Sequence, residues 1–174
     1  MTVVLIGAHG AGKTSLGRAL AQELGWTFHP ELGEEMALSM RLRGDASTPQ
    51  EDFDRLLFER ELDRDAAWTG GPRIVETWHP GNLAYAAARS PAVAHDFLSD
   101  IRASSAIAVP VRAPRSTLAR RQHEPGDLSF FLQVGAAAVT WAQRLGMQVL
   151  PHVWTHSATP QGLARHLAQR LRSL

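Results

Sequence analysis

The only lysine of this 174-residue chain, Lys13, lies in an octet with the pattern G-x-x-x-x-G-K-[ST]. The octet directly follows the apolar residues 3–6. In a glycine-rich turn of this kind, backbone N–H groups converge on phosphate oxygens, and the lysine reaches the β- and γ-phosphates of a nucleotide. The other 17 basic residues are all arginine. We therefore expect the compact ammonium of Lys13 to serve phosphate binding.

The octet and the residue after it are predicted to hold ATP and Mg²⁺. The predicted nucleotide-binding residues are Gly7, Ala8, His9, Gly10, Ala11, Gly12, Lys13, Thr14 and Ser15. The hydroxyl of Thr14 is predicted to ligate Mg²⁺, and that of Ser15 to bond the α-phosphate. A guanine-reading Asn-Lys-x-Asp motif needs a second lysine, so GTPases of that type are excluded.

A second candidate for chemistry is Glu76, which ends the short apolar segment 73–76. The carboxyl ends of parallel strands are where sites form in α/β proteins. An acid there can hold the Mg²⁺ shell or accept the proton of an attacking hydroxyl. The alternative is an ordinary surface acid at a strand end. Segment 105–111 contains no acid, unlike the acid-ended strand of large motor-type ATPases.

Arginines follow segment 105–111 and predict a lid near residues 112–127. They are Arg112, Arg115, Arg120 and Arg121. Donors around the transferring phosphoryl group stabilise its charge, and a mobile lid excludes water. We expect Arg120 and Arg121 to be catalytic, Arg112 to bind the nucleotide, and 123–126 to be the flexible part. The alternative is a solvated basic helix face.

Two further sets of residues are predicted to line the site. The loop 155–160 is expected beside adenine, with Ser157 and Thr159 as contacts, although Thr159 also fits an ordinary N-cap before Pro160. The predicted acceptor-binding residues are Glu31, Arg60, Glu61 and His79.

The elements that must position these residues alternate along the chain. Strands are predicted at 2–6, 26–29, 73–76, 105–111 and 148–153. Helices are predicted at 13–24, 33–43, 49–68, 82–88, 92–101, 114–121, 127–145 and 160–172. This alternation predicts an α/β fold, a three-layer sandwich with a five-stranded parallel sheet and helices on both faces, in one domain spanning 1–174.

The composition limits the classes of partner and the cellular location that we expect. The chain has no cysteine and no apolar run of membrane-spanning length, so we expect a cytoplasmic protein with no membrane partner. From residue 102 onward there are 9 arginines against 2 acids, but nucleotide phosphates account for this as well as nucleic acid does. No alternation of basic and aromatic residues favours nucleic acid, which is the weaker interpretation.

Residues 5–25 resemble the opening of small-metabolite and nucleoside or nucleotide kinases, shikimate kinase included. The segment from Phe53 through 58–62 to 75–77 and 83–85 is similar to P-loop kinases of the nicotinamide-riboside-kinase and thymidylate-kinase type. That resemblance implies an acid–arginine pair at the end of the third strand. Glu76 matches the acid, whereas Thr77 stands where the arginine is usual.

The sequence thus predicts an ATP- and Mg²⁺-dependent kinase acting on a small molecule, with a nucleoside or nucleotide favoured. Two alternatives stay open. One is a nucleotide-binding regulatory ATPase or switch. The other is a kinase-like remnant that binds ATP without turnover, an alternative that Thr77 motivates. The acceptor and the oligomeric state are not indicated by the sequence.

Overall fold

The computed structural model describes residues 1–43, 48–103, 105–121 and 127–174. Its strands are β1 (Thr2–Ile6), β2 (Thr27–His29), β3 (Arg73–Glu76), β4 (Ile107–Arg112), β5 (Gln148–Val149) and β6 (Val153–Trp154). Its helices are α1 (Lys13–Leu24), α2 (Leu32–Arg43), α3 (Gln50–Ala66), α4 (Trp78–Arg89), α5 (Pro91–Phe97), α6 (Arg115–Arg121), α7 (Asp127–Arg144) and α8 (Pro160–Arg172).

The strands form one parallel sheet in the order β2-β3-β1-β4-β5, with β6 also paired to β4. Strand β1 lies in the middle, so the loop after it opens at the centre of the carboxyl edge. Leu5 pairs with Glu76 of β3 and with Val109 of β4. The register therefore brings the end of β3 beside the start of the glycine-rich loop.

The side chains of β1 alternate between two hydrophobic clusters. Val3 and Leu5 belong to the cluster that contains residues of α1 and α8, whereas Val4 and Ile6 belong to the cluster that contains residues of α4 and α7. A strand covered on both faces reads as a continuous apolar run. The predicted three layers, with helices on both faces of a parallel sheet, are confirmed.

The predicted fifth strand is interrupted. Leu150 still donates its N–H to the carbonyl of Ala108 at 2.9 Å, but pairing then stops until Val153 joins Val111. Pro151 lies in the gap, and a proline has no N–H to give to a sheet ladder. The single strand predicted at 148–153 is therefore two short strands.

Helix α4 begins at Trp78, four residues before the predicted start. Pro80 then lies in the first helical turn, where the missing proline N–H costs nothing because those N–H groups have no partner within the helix. Within the described part of the chain, no helix is long and apolar enough to cross a membrane. The cytoplasmic location stays a prediction.

Candidate functional site

The glycine-rich loop is pressed against the end of β4. A Cβ on Gly7 would lie 2.2 Å from the carbonyl oxygen of Val111, and Gly7 has a φ of 148°. Gly12 caps α1 with a φ of 92°, in the left-handed region. Side chains other than hydrogen fit neither position. The spacing of glycines in the octet is therefore required by this turn, which aims the N-terminus of α1 at the carboxyl edge of the sheet.

Lys13 is buried and folds back over its own loop. Its side chain is 4% exposed, and Nζ donates to the carbonyl oxygens of Gly7 and Ala8 at 3.3 Å each. Nζ also lies 3.8 Å from Oε2 of Glu31 and 3.9 Å from Oε1 of Glu76. One ammonium thus faces the ends of two neighbouring strands.

Glu31 follows β2 and is held by the residue after β3. The hydroxyl of Thr77 donates to Oε2 of Glu31 at 2.7 Å. Thr77 has φ 65° and ψ −65°, and Trp78 follows with φ 45°. This geometry is rare and strained for residues other than glycine, and such strain is concentrated at functional sites. The turn places the Thr77 hydroxyl against Glu31.

Glu76 is 4% exposed and accepts a 2.9 Å hydrogen bond from the hydroxyl of Thr14. Burial raises the pKa of Glu76 above its usual value, and the charge of Lys13 opposes that rise. A carboxyl group with a raised pKa beside a reacting centre is suited to exchanging protons.

The Thr14 hydroxyl and the Glu76 carboxylate supply the hard oxygen donors that Mg²⁺ prefers. The residues that the structure describes contain no group of three or more His, Cys, Asp or Glu able to hold a metal ion. Mg²⁺ commonly keeps waters and substrate phosphates as ligands and takes only one or two from the protein. The pair therefore fits Mg²⁺ that arrives with a nucleotide.

These groups share one cleft of about 480 Å³. Its lining residues are His9, Gly10, Gly12, Lys13, Thr14, Ser15, Leu16, Glu31, Glu34, Glu76, Arg121, Thr155, Pro160 and Leu163. The structure thus brings most of the predicted phosphate-binding residues together with Glu31 and Glu76. Ala8 and Ala11 are buried within the loop.

The two arginines predicted as catalytic differ in position. Arg121 lines the cleft, and its Nη1 donates to the carbonyl of Gly10 at 2.7 Å. Arg120 is exposed and is not part of the lining. The predicted flexible residues 123–126 lie outside the described residues, as does Gln122, the other residue between α6 and α7.

The loop after β6 contributes a different residue from those predicted. Thr155 lines the cleft and donates its hydroxyl to the carbonyl of Ala11 at 2.8 Å. Ser157 instead donates to the carbonyl of Trp154, and Thr159 caps α8 by accepting from Gly162 N–H. Ser157 and Thr159 do not line the cleft, although the N-cap at Thr159 is confirmed.

Arg112 also lies away from the main cleft. It lines a second, mostly apolar cavity of about 260 Å³ on the other side of the glycine-rich loop. Its carbonyl oxygen, rather than its guanidinium, reaches the Thr155 segment, where it accepts from the N–H of Thr155 at 2.9 Å. Arg112 therefore lies outside the cleft that contains Lys13, in a cavity that Gly7, Ala8 and Ala11 of the same loop also line.

Three of the four predicted acceptor-binding residues lie outside the cleft. Arg60 lines a separate groove between α2 and α3. Glu61 is 1% exposed and accepts from Asn82. His79 is fully buried, and its Nε2 lies 2.6 Å from Asp65. Only Glu31 of this set faces Lys13.

Of the described residues that line the cleft, five were not among the predicted contacts, namely Leu16, Glu34, Thr155, Pro160 and Leu163. Glu34 lies three residues after Glu31, so the two can face one side where α2 begins. That spacing was an available signal. Thr155 and Pro160 belong to the loop 155–160 that was predicted beside the nucleotide, although Ser157 and Thr159 were named as its contacts. Leu163 had no such signal, because only the folded chain brings α8 to the cleft.

Solved structures that share this fold include a deoxyadenosine kinase, a NadR protein and a shikimate kinase. A deoxyadenosine kinase from M. mycoides, with products dCMP and a flexible dCDP bound, has a TM-score of 0.73 and 12% identity, and all of both chains is covered. A NadR protein in complex with NR has a TM-score of 0.66 and 13% identity, and the match covers 99% of this chain and 50% of that chain. Shikimate kinase from Aquifex aeolicus has a TM-score of 0.56 and 14% identity, and the match covers 99% of this chain and 97% of that chain.

At these identities the likeness shows the fold alone, which is that of P-loop nucleoside and small-molecule kinases. No curated protein sequence matches the chain. A family model described as AAA domain matches residues 2–126 and so includes the P-loop and strands β1 to β4. Because this match spans well over half of the chain, the protein belongs to the AAA domain family.

Proposed function

We propose that the protein is a kinase that transfers the γ-phosphoryl group of ATP to a hydroxyl of a small molecule, with a nucleoside or nucleotide favoured. One observation carries the proposal. Nζ of Lys13 lies 3.8 Å from Glu31 and 3.9 Å from Glu76 in one cleft. A phosphate-binding ammonium and two strand-end carboxylates within that distance are the groups that phosphoryl transfer to a hydroxyl requires.

On the donor side, the backbone N–H groups of residues 7–15 and the Lys13 ammonium hold the phosphates of ATP. Arg121, beside Gly10, adds a guanidinium that can follow the transferring phosphoryl group. Thr14 and Glu76 would hold Mg²⁺, which when bound neutralises charge on the phosphate oxygens. The loop around Thr155 and Pro160 contacts the base.

On the acceptor side, Glu31 holds the attacking hydroxyl in line with the γ-phosphorus. The bond from the γ-phosphorus to the bridging oxygen breaks, and the bond from the acceptor oxygen forms. The acceptor proton passes to a carboxylate, and ADP leaves. Glu31 and Glu76 are the two candidate proton acceptors, and Thr77 orients the first of them.

The family match to an AAA domain favours one second candidate, a nucleotide-binding regulatory ATPase that needs no acceptor. The kinase-like remnant predicted from Thr77 is the third. In this fold Thr77 orients a cleft carboxylate, and that contact supports an intact site.

The test incubates the protein with ATP and Mg²⁺, alone and with nucleosides, nucleotides and small hydroxyl metabolites, and follows ADP release. The kinase predicts that at least one acceptor accelerates ADP formation. ADP release that no acceptor accelerates would support the regulatory ATPase. Tight ATP binding without any ADP release would support the remnant.

A further inference from the structure

Among the residues that the structure describes, three carboxylates line the cleft. Glu31 follows β2, Glu34 lies in the first turn of α2, and Glu76 ends β3. Glu76 has a hydroxyl partner in Thr14 on the donor side. Glu31 and Glu34 therefore face the volume that an acceptor would fill.

The cations of the cleft lie on the phosphate side. Among the lining residues of the described chain, these cations are Lys13 and Arg121. Lys13 belongs to the P-loop itself, and Arg121 is hydrogen-bonded to the Gly10 carbonyl of that loop. In the proposed complex, both cations contact the phosphates of ATP.

Three arginines of α3 and α4 are occupied elsewhere. Arg64 pairs with the buried Glu61 and donates to the carbonyl of Pro30 at 3.2 Å. Arg89 is bonded to the buried Asp54 at 2.7 Å. Arg60 lines the separate α2–α3 groove. Where a strand-end arginine could have reached the acceptor, the chain has Thr77, which contributes a hydroxyl and no charge.

ATP binding increases the excess of negative over positive charge around Glu31 and Glu34. Without nucleotide, Lys13 is the cation nearest both Glu31 and Glu76. When Lys13 turns to the phosphates, Glu31 keeps the Thr77 hydroxyl as its hydrogen-bond partner among the described residues. A phosphate or carboxylate on the acceptor would then meet Glu31 and Glu34 without a countercharge, and like charges brought together in a cleft weaken binding strongly.

We propose that the acceptor is an uncharged or positively charged hydroxyl compound, and neither a phosphate ester nor a carboxylic acid. This inference rests on the proposed kinase activity and selects among its acceptors. Hydroxyl, amine or cationic ring groups on the acceptor satisfy the Glu31 and Glu34 oxygens. Nucleosides fit this chemistry, whereas nucleoside monophosphates do not.

The first experiment compares acceptors that differ in charge. Adenosine is compared with AMP, cytidine with CMP, and guanosine with the cationic 7-methylguanosine, each with ATP and Mg²⁺. We expect kcat/KM for each nucleoside to exceed that for its monophosphate by about tenfold or more, since like-charge contacts cost several kcal/mol. We expect 7-methylguanosine to be accepted at least as well as guanosine. Equal or better use of the monophosphates would overturn the inference while leaving the kinase activity intact.

The second experiment changes the charge of the cleft. Glu34→Gln is expected to raise the monophosphate-to-nucleoside ratio of kcat/KM several-fold. Glu35→Gln, on the same helix but facing the separate groove, is the matched control and should leave that ratio unchanged. Equal ratios in the two variants would remove Glu34 from the selection and contradict the charge argument.

Calorimetric binding of the same compounds, in the presence of a non-hydrolysable ATP analogue, gives a readout that does not need turnover. We expect the nucleosides to bind more tightly than their monophosphates. If no compound stimulates ADP release but this order of affinity holds, the kinase activity fails and the charge selection stands. If no uncharged or cationic compound binds or reacts, the charge selection fails as well.

Discussion

The hydroxyl of Thr77 donates a 2.7 Å hydrogen bond to Oε2 of Glu31, and that same oxygen lies 3.8 Å from Nζ of Lys13. The end of β3 thereby orients a side chain that follows β2. The strained backbone of Thr77, with φ 65°, is what makes this contact reachable. Thr77, which stands where the resemblance to P-loop kinases implies an arginine, positions Glu31 instead.

Replacing Thr77 with valine keeps the shape of the side chain and removes the hydroxyl that donates to Glu31. A hydrogen bond to a charged group contributes about 1.5–3 kcal/mol, so Thr77→Val should lower kcat/KM for the acceptor by about tenfold or more. Thr77→Ser, which retains the hydroxyl, should restore most of it. Steady-state kinetics with varied acceptor and varied ATP measures this, and ATP affinity should stay within about twofold of wild type. Equal activity of the valine and serine variants would exclude the hydrogen bond from function.

Replacing Lys13 with methionine leaves two carboxylates close together without their shared cation. At neutral pH this should lower the free energy of unfolding on the order of 3 kcal/mol, the cost of breaking a buried pair. Lys13 lowers the pKa of Glu76, which burial raises, so that pKa rises further in the variant. A carboxyl whose pKa is raised by folding stabilises the protein below its unfolded value, near 4.5, and loses that contribution as pH rises through its folded value.

The stability loss of Lys13→Met should therefore be larger at pH 8 than at pH 5.5. Urea unfolding at both pH values measures it. Arg121→Met, which removes an exposed cation bonded to a backbone carbonyl, is the control and should show no such pH dependence. A loss of equal size at both pH values would contradict the ion-pair geometry.

Arg121 and Arg120 form a natural comparison, since they are neighbours of the same type. Arg121→Ala should reduce kcat with ATP by a hundredfold or so, as expected for loss of a charged donor at the transferring group. Arg120→Ala should retain activity within about threefold, because that side chain does not line the cleft. Single-turnover kinetics would separate chemistry from product release. The opposite order of effects would assign the cleft position to Arg120.

Gly135 of α7 packs on the P-loop backbone. A Cβ there would lie 2.6 Å from the backbone nitrogen of Ala8. Glycine to alanine in a helix ordinarily stabilises by about 0.5–1 kcal/mol, whereas overpacking costs about 1–3 kcal/mol. Gly135→Ala should therefore destabilise the protein and weaken ATP binding. Thermal unfolding and ATP titration measure both, and a stabilised variant would contradict the close contact.

The sequence predicted the fold because its signals are local. The apolar run 2–6, the octet after it and the glycine stop at Gly25 each specify a neighbouring element. Pro151 is a local signal too. It interrupts a strand only where the neighbouring strand, here β4, needs an N–H donor at that position. That need is a property of the sheet.

The site was predictable on its donor side and less so on its acceptor side. The P-loop residues are contiguous, so their pattern identifies them together. Glu61 and His79 instead turn inward to Asn82 and Asp65 because α3 and α4 pack face to face. Charge and position along the chain could not show which polar residues of those helices are used for packing.

In the proposed reaction, ATP and an acceptor hydroxyl meet in the cleft between Lys13, Glu31 and Glu76. The most direct measurement follows the γ-phosphate of labelled ATP with Mg²⁺ and a nucleoside acceptor, with Lys13→Ala as the blank. We expect the label to appear on the acceptor in a phosphate ester and the blank to show none. Label found only as inorganic phosphate, at a rate that the acceptor does not change, would contradict the proposed reaction.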